Sequence, residues 1–155
     1  MASQRLTYFS QGDFMKLIKI LALTFSAVVI VACAPRDTTH YLSIQEALSS
    51  PEAKKILNPK IKLYFGKPAP GQVIQKGAVT NPKTNAVNKT DKEACQWVFL
   101  SAVKRFQDQA VAKGVTKVGN LVSYYKKKEY SSTTKYECHA GRSIAGVALK
   151  GDFVK

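Results

Sequence analysis

The sequence predicts an α+β fold: one long helix packed on a small, mostly antiparallel sheet, with one or two short helices ahead of it. Three observations carry this. A capped apolar stripe of helical period runs from Thr90 to Gly114. Runs of strand character lie on both sides of it, at 61–65 and 73–80 before and at 115–125 and 136–149 after. Two helix-start signals stand close together between Ser43 and Pro59. The order helix, strand, strand, long helix, strand, strand is solved by one helical layer on a sheet.

Ser43-Ile44-Gln45-Glu46 is a Ser-x-x-Glu capping box, in which side chains at both ends satisfy orphan amides of the first turn. Ser50-Pro51-Glu52 offers a second start with proline at the first helical position. Asn58-Pro59 ends this region. Ile61 to Phe65 reads as a strand stopping at Gly66, and Val73 to Thr80 as a second. Lys67-Pro68-Ala69-Pro70-Gly71 is a turn between them, and Asn81 to Lys89 is polar loop chemistry.

The central helix is signalled by Thr90-Asp91-Lys92-Glu93, a capping box with acidic residues at the positive end of the helix. Cys95, Phe99, Ala102, Phe106 and Ala110 recur at three- and four-residue steps, and Trp97, Val98, Leu100 and Val103 are expected to widen that stripe. Lys113-Gly114 closes it. In 115–125, strict alternation sets Val118, Asn120, Val122 and Tyr124 against Gly119, Leu121, Ser123 and Tyr125. Lys126 to Glu129 is a charged hairpin that 130–134 continues, and Tyr136 to Leu149 is the expected last strand, with Gly141 and Gly146 permitting a bulge or close packing.

Upstream lies a different kind of segment. Met15 to Cys33 has a basic start at Lys16 and Lys19, an apolar run from Ile20 to Val31 and a small-residue end. The run is shorter than the ~20 residues of a membrane-spanning helix, and its flanks are those of a secretory signal. Ile30-Val31-Ala32-Cys33 resembles the bacterial lipobox, cut before a cysteine that is then acylated. The expected organisation is therefore a signal over 1–32 with its true start at Met15, a lipidated tether over 33–42 and a single domain over 43–155. Ala34 stands where an aspartate would retain a lipoprotein in the inner membrane, so the outer membrane, on its periplasmic face, is the expected location.

From Cys33 onward the chain has 21 Lys and Arg against 9 Asp and Glu, a net charge of +12. Such a field attracts anionic lipid, acidic protein faces or anionic polymers. Export removes most nucleic acid from the field's reach, so no nucleic-acid partner is expected. An exported pair, Cys95 and Cys138, reads as a disulfide across helix and last strand. A metal or redox site using Cys95, Cys138 and His139 is the alternative, short of the four ligands a structural zinc takes.

No catalytic constellation, cofactor motif or small-molecule substrate site is expected. His139 follows Cys138, and neighbouring strand residues face opposite sides, which places the pair poorly as nucleophile and base. His40 sits in the tether and carries no signal. Lys126, Lys127 and Lys128 beside Tyr124 and Tyr125 form a candidate patch for an anionic partner, against the plainer reading of a solvated turn.

Several stretches resemble a family of small Gram-negative envelope proteins that often carry the label of an excinuclease ATPase. They are Tyr64-Phe65-Gly66, Thr80 to Ala86, Glu93 to Ala102, Val122 to Lys127, Glu137 to Gly141 and Gly146 to Gly151, spanning most of Leu42 to Lys155. The helix-strand-strand half is also similar, in topology, to YbjQ-like domains and to the outer-membrane lipoprotein sensor of the Rcs stress system, which carries disulfides in this kind of fold. The ATPase that the excinuclease label names needs Lys and a hydroxyl after the second glycine of its phosphate loop. After Gly114 to Gly119 stand Asn120 and Leu121 instead. The lipobox-like stretch, the expected disulfide and the lack of a catalytic constellation together predict a non-catalytic outer-membrane lipoprotein contacting other envelope proteins, as an accessory of an assembly such as a secretion machine or a stress sensor. A basic binding module for an anionic surface or polymer is the alternative.

Overall fold

A computed structural model describes residues Arg36–Lys155; the expected signal, the Met15 start and Cys33 lie outside them. The order is β1 (Thr38–Ser43), α1 (Ile44–Ser49), α2 (Pro51–Ile56), β2 (Lys62–Phe65), β3 (Val73–Thr80), β4 (Lys83–Asn85), α3 (Asp91–Ala112), β5 (Lys117–Ser123), β6 (Lys135–Ala140), β7 (Ile144–Gly146) and β8 (Leu149–Val154). The fold is α+β. It has two four-stranded sheets rather than the single one expected, ordered β1-β6-β7-β4 and β2-β5-β8-β3. Only β2 and β5 run parallel; the other strand pairs are antiparallel.

Two breaks at one level make the second sheet. The run 73–85 is interrupted at Asn81-Pro82, and its antiparallel partner 144–154 at Val147-Ala148. The Val147 amide donates to the Pro82 carbonyl across the break. Proline has no amide to give the ladder, so the pair bends there. The expected strand 136–149 is accordingly three strands, β6, β7 and β8, and the last runs on to Val154. The polar loop expected after Thr80 contains β4, held by β7 at a sheet edge. The end of the expected tether is β1, paired along its length with β6.

The alternation expected in β5 also fails, for one reason. Asn120 takes φ +49°, and the β5–β8 register shifts between Gly119 and Val122. One extra residue flips the face of everything after it. Val118 and Leu121 therefore share the core.

The helices match their caps. Ser43, Ser50 and Thr90 accept the amides of Glu46, Ala53 and Glu93. The stripe Cys95, Phe99, Ala102, Phe106 and Ala110 is fully buried, as are Val98, Leu100 and Val103. Trp97 is instead 41% exposed. Two residues from Cys95 and two from Phe99, it stands about 200° around the helix from both.

Cys95 and Cys138 form a disulfide between α3 and β6, with Cα atoms 5.8 Å apart. Next to it Phe99 stacks on Tyr136, centroids 3.9 Å apart. The spacings agree: four helical residues rise ~6 Å and two strand residues ~6.6 Å. Disulfide and ring stack are thus successive rungs joining the helix to the inner face of β6. Burial raises the Tyr136 hydroxyl far above its ordinary pKa.

Gln107 is one of three buried polar residues, with Thr80 and Ser123, and is 3% exposed. Its Oε1 accepts the Asn58 amide at 2.8 Å and its Nε2 donates to the Asn58 carbonyl at 3.0 Å. The side chain completes the backbone pairing of the turn after α2 and fastens it to α3. Gln107→Ala leaves the Asn58 amide without a partner and removes one of the two donors to its carbonyl, which the Ile61 amide also reaches at 3.2 Å. It should destabilise the protein by about 1–3 kcal/mol in urea unfolding; an unchanged midpoint would remove the fastening role.

Candidate functional site

The densest polar arrangement lies where the chain enters the domain. In the β1–β6 ladder Thr39 stands opposite His139, His40 opposite Cys138 and Tyr41 opposite Glu137. Strand alternation sends Cys138 and Tyr136 into the core and leaves Glu137 and His139 on the outer face with Thr39 and Tyr41.

His139 is held on every side. Its Nδ1 lies 2.9 Å from Asp37 Oδ1 and its Nε2 2.8 Å from Glu137 Oε1. The Tyr125 ring covers it, centroids 3.3 Å apart and planes 13° apart. The Tyr125 hydroxyl donates to Asp37 Oδ2 at 3.1 Å, and Lys126 Nζ is 3.7 Å from the same oxygen. The His139 hydrogen bond holds the Asp37 carboxyl below its ordinary range. Burial, and then Asp37, raise the Tyr125 phenol. Both imidazole nitrogens face carboxylates, so neither is free to take a proton from a nucleophile.

A second set fixes the same segment from the other side. Arg36 pairs with Asp91 in the first turn of α3, and His40 Nε2 lies 2.9 Å from the same Asp91 oxygen. The Arg36 contact lowers the Asp91 carboxyl pKa. Arg36, Asp37 and His40 thus tie the residues around the start of β1 to α3, to β6 and to the turn after β5.

That turn holds the candidate patch. Tyr125–Lys127 is a 3-10 turn with Lys126 at φ +49° and Lys127 at φ +64°. It replaces the regular hairpin expected here; Ser123 and Tyr130 make a lone bridge. The structure does not present the five patch residues as one free surface. Tyr125 is occupied by His139, with Lys126 Nζ 5.0 Å from its ring centre. Lys150 lies over the Tyr124 ring at 5.2 Å. Lys127 and Lys128 are exposed and pair with no carboxylate among the described residues. The alternative metal set is not assembled, because the Cys95 and Cys138 sulfurs are bonded to each other and His139 is on the opposite face.

Sequence reasoning missed Arg36, Asp37, His40 and Asp91 as members of this set, and it weighed His139 only as a base or metal ligand beside Cys138. Asp37 meets His139 across 102 residues and His40 meets Asp91 across 51. No local spacing announces such contacts.

An open groove of about 480 Å³ lies elsewhere, lined by Lys76, Asn120, Glu129, Lys150 and Asp152 among others. Its charges are largely answered internally: Asp152 accepts from the Gly77 amide and the Asn120 side chain, each at 2.8 Å, and Lys150 pairs with Glu129. Among the described residues no helix is long and apolar enough to cross a membrane.

No protein-family model, curated protein or solved structure matches this chain.

Asp37 fixes a pH prediction. Its folded pKa is depressed, so the stability it contributes is present above the ordinary carboxylate value of ~3.9 and is lost as pH falls through the lowered folded value. Carboxyl-detected NMR titration should place Asp37 below that ordinary value, and His139→Gln should return it upward. An ordinary Asp37 midpoint in the unsubstituted protein would contradict the bond.

Proposed function

We propose that this chain is a non-catalytic lipoprotein of the outer membrane, anchored through Cys33 and facing the periplasm. Its folded domain serves as an interaction or structural accessory of an envelope assembly, such as a secretion machine or a stress sensor. The observation that carries this reading is the fully buried Cys95–Cys138 bond at the centre of the domain. A disulfide built into a core belongs to an oxidising compartment. The signal-like stretch ending at Cys33 supplies a route there. Two further points support the reading. The exposed-face histidine has both nitrogens engaged by carboxylates, which disfavours acid–base chemistry. The resemblance to small envelope proteins points the same way.

The experiment is intact mass spectrometry of the protein extracted from native membranes, with and without reductant. The expected species begins at Cys33, carries acyl chains, and gains the mass of two hydrogens on reduction. A full-length species without acyl groups and with free thiols would refute the proposal and place the protein inside the cell.

A further inference from the structure

We infer that the turn after β5, with Lys126, Lys127 and Lys128, docks against anionic phosphate headgroups of the leaflet that holds the anchor. The inference rests on the lipoprotein reading and adds an orientation to it. Three observations carry it: the length of chain between anchor and domain, the fixed position of that chain's end, and the charge found there.

Cys33 and Arg36 are three residues apart. Consecutive Cα atoms are 3.8 Å apart, so the covalent chain spans at most ~11 Å between them. From Arg36 onward the segment is not a free tether. Arg36 and His40 are tied to Asp91, Asp37 to His139 and Tyr125, and Thr38 already pairs with β6. The domain cannot stand off from the surface on a flexible leash, and the region around Arg36 must lie beside the headgroups.

The lysine turn is next to that point, because Lys126 Nζ is 3.7 Å from Asp37, the neighbour of Arg36. Positive φ at Lys126 and Lys127 turns the chain outward, and Lys127 and Lys128 end in solvent. The ~11 Å reach is close to the ~8 Å screening length at physiological salt, so these charges lie where the surface potential is still felt. Tyr41 extends the same side: it is 49% exposed on the outer face of β1 and packs against Tyr130, centroids 4.7 Å apart. Tyrosines bordered by lysines are the composition that settles at a membrane–water interface. The buried disulfide and α3 lie on the opposite face of the β1 sheet, which leaves that side of the domain for a protein partner.

The test uses the mature protein extracted with its anchor and reconstituted into vesicles of phosphatidylcholine alone or mixed with phosphatidylglycerol. Lysine acetylation rates are read residue by residue, and intact mass of the same sample reports whether Cys33 is acylated. Lys127 and Lys128 should react about fivefold more slowly in the phosphatidylglycerol vesicles, and high salt should remove the difference. Lys113 should react equally in both, since it caps the far end of α3, whose 22 residues separate it from Asp91 by ~30 Å. The double variant Lys127→Glu, Lys128→Glu changes only exposed side chains and should abolish protection of Lys126 by the anionic lipid. Equal rates for Lys127 and Lys128 on acylated protein would overturn the docking and leave the anchor standing. Protection of Lys113 as strong as theirs would overturn the orientation. An unacylated mass would overturn the anchor, and the docking with it.

Discussion

The contact between α3 and β6 is the constraint on which the rest of the domain depends. Cys95 and Phe99 are one turn apart on the helix, and Tyr136 and Cys138 share the inner face of the strand. Their spacings match closely enough for two rungs, a covalent bond and a ring stack, to form side by side. β6 is the strand to which β1 and β7 are paired, so fixing α3 to β6 positions that whole sheet against the core. The other buried rings, Phe106 against Phe153 at 5.8 Å and Phe65 against Phe99 at 5.9 Å, bring the second sheet under the same helix.

A rigid inner face gives the outer face of β6 its use. With Cys138 fixed inward, His139 and Glu137 are held outward, where Asp37 closes on the histidine. The residues just before and within β1 are in that way tied down by bonds to three separate elements. Each is a surface or half-buried contact of modest worth. Together they convert what reads as a tether into a strand with a set position, and the proposed membrane orientation follows from that conversion.

Much of this was legible in the chain. The caps at Ser43, Ser50 and Thr90 and the apolar stripe of α3 are local signals, and each appears in the structure where the residues place it. The helix-to-strand disulfide was legible because an even pair of cysteines behind an export-like signal reads as a bond, and Cys95 falls on the apolar stripe of the helix. What was illegible depended on partners far away in sequence. The bulge at Asn120, stabilised by Asp152, reversed the strand faces after it. The matched breaks at Asn81-Pro82 and Val147-Ala148 turned one expected sheet into two. Trp97 was drawn into the stripe by its hydrophobicity, although its angle on the helix puts it outside. The Asp37–His139–Tyr125 set shows no pattern at all in one dimension.

If the α3–β6 clamp organises the domain, breaking its covalent rung must cost global stability. The most direct measurement is equilibrium urea unfolding of the protein with and without reductant. The Cys95–Cys138 loop spans 43 residues, for which chain entropy gives a loss of about 4 kcal/mol, with measured values for natural bonds commonly about 2–4 kcal/mol. A loss in that range, with one cooperative transition in both states, is the predicted result. A midpoint unmoved by reduction would mean that packing alone positions α3 and that the disulfide is incidental to the fold.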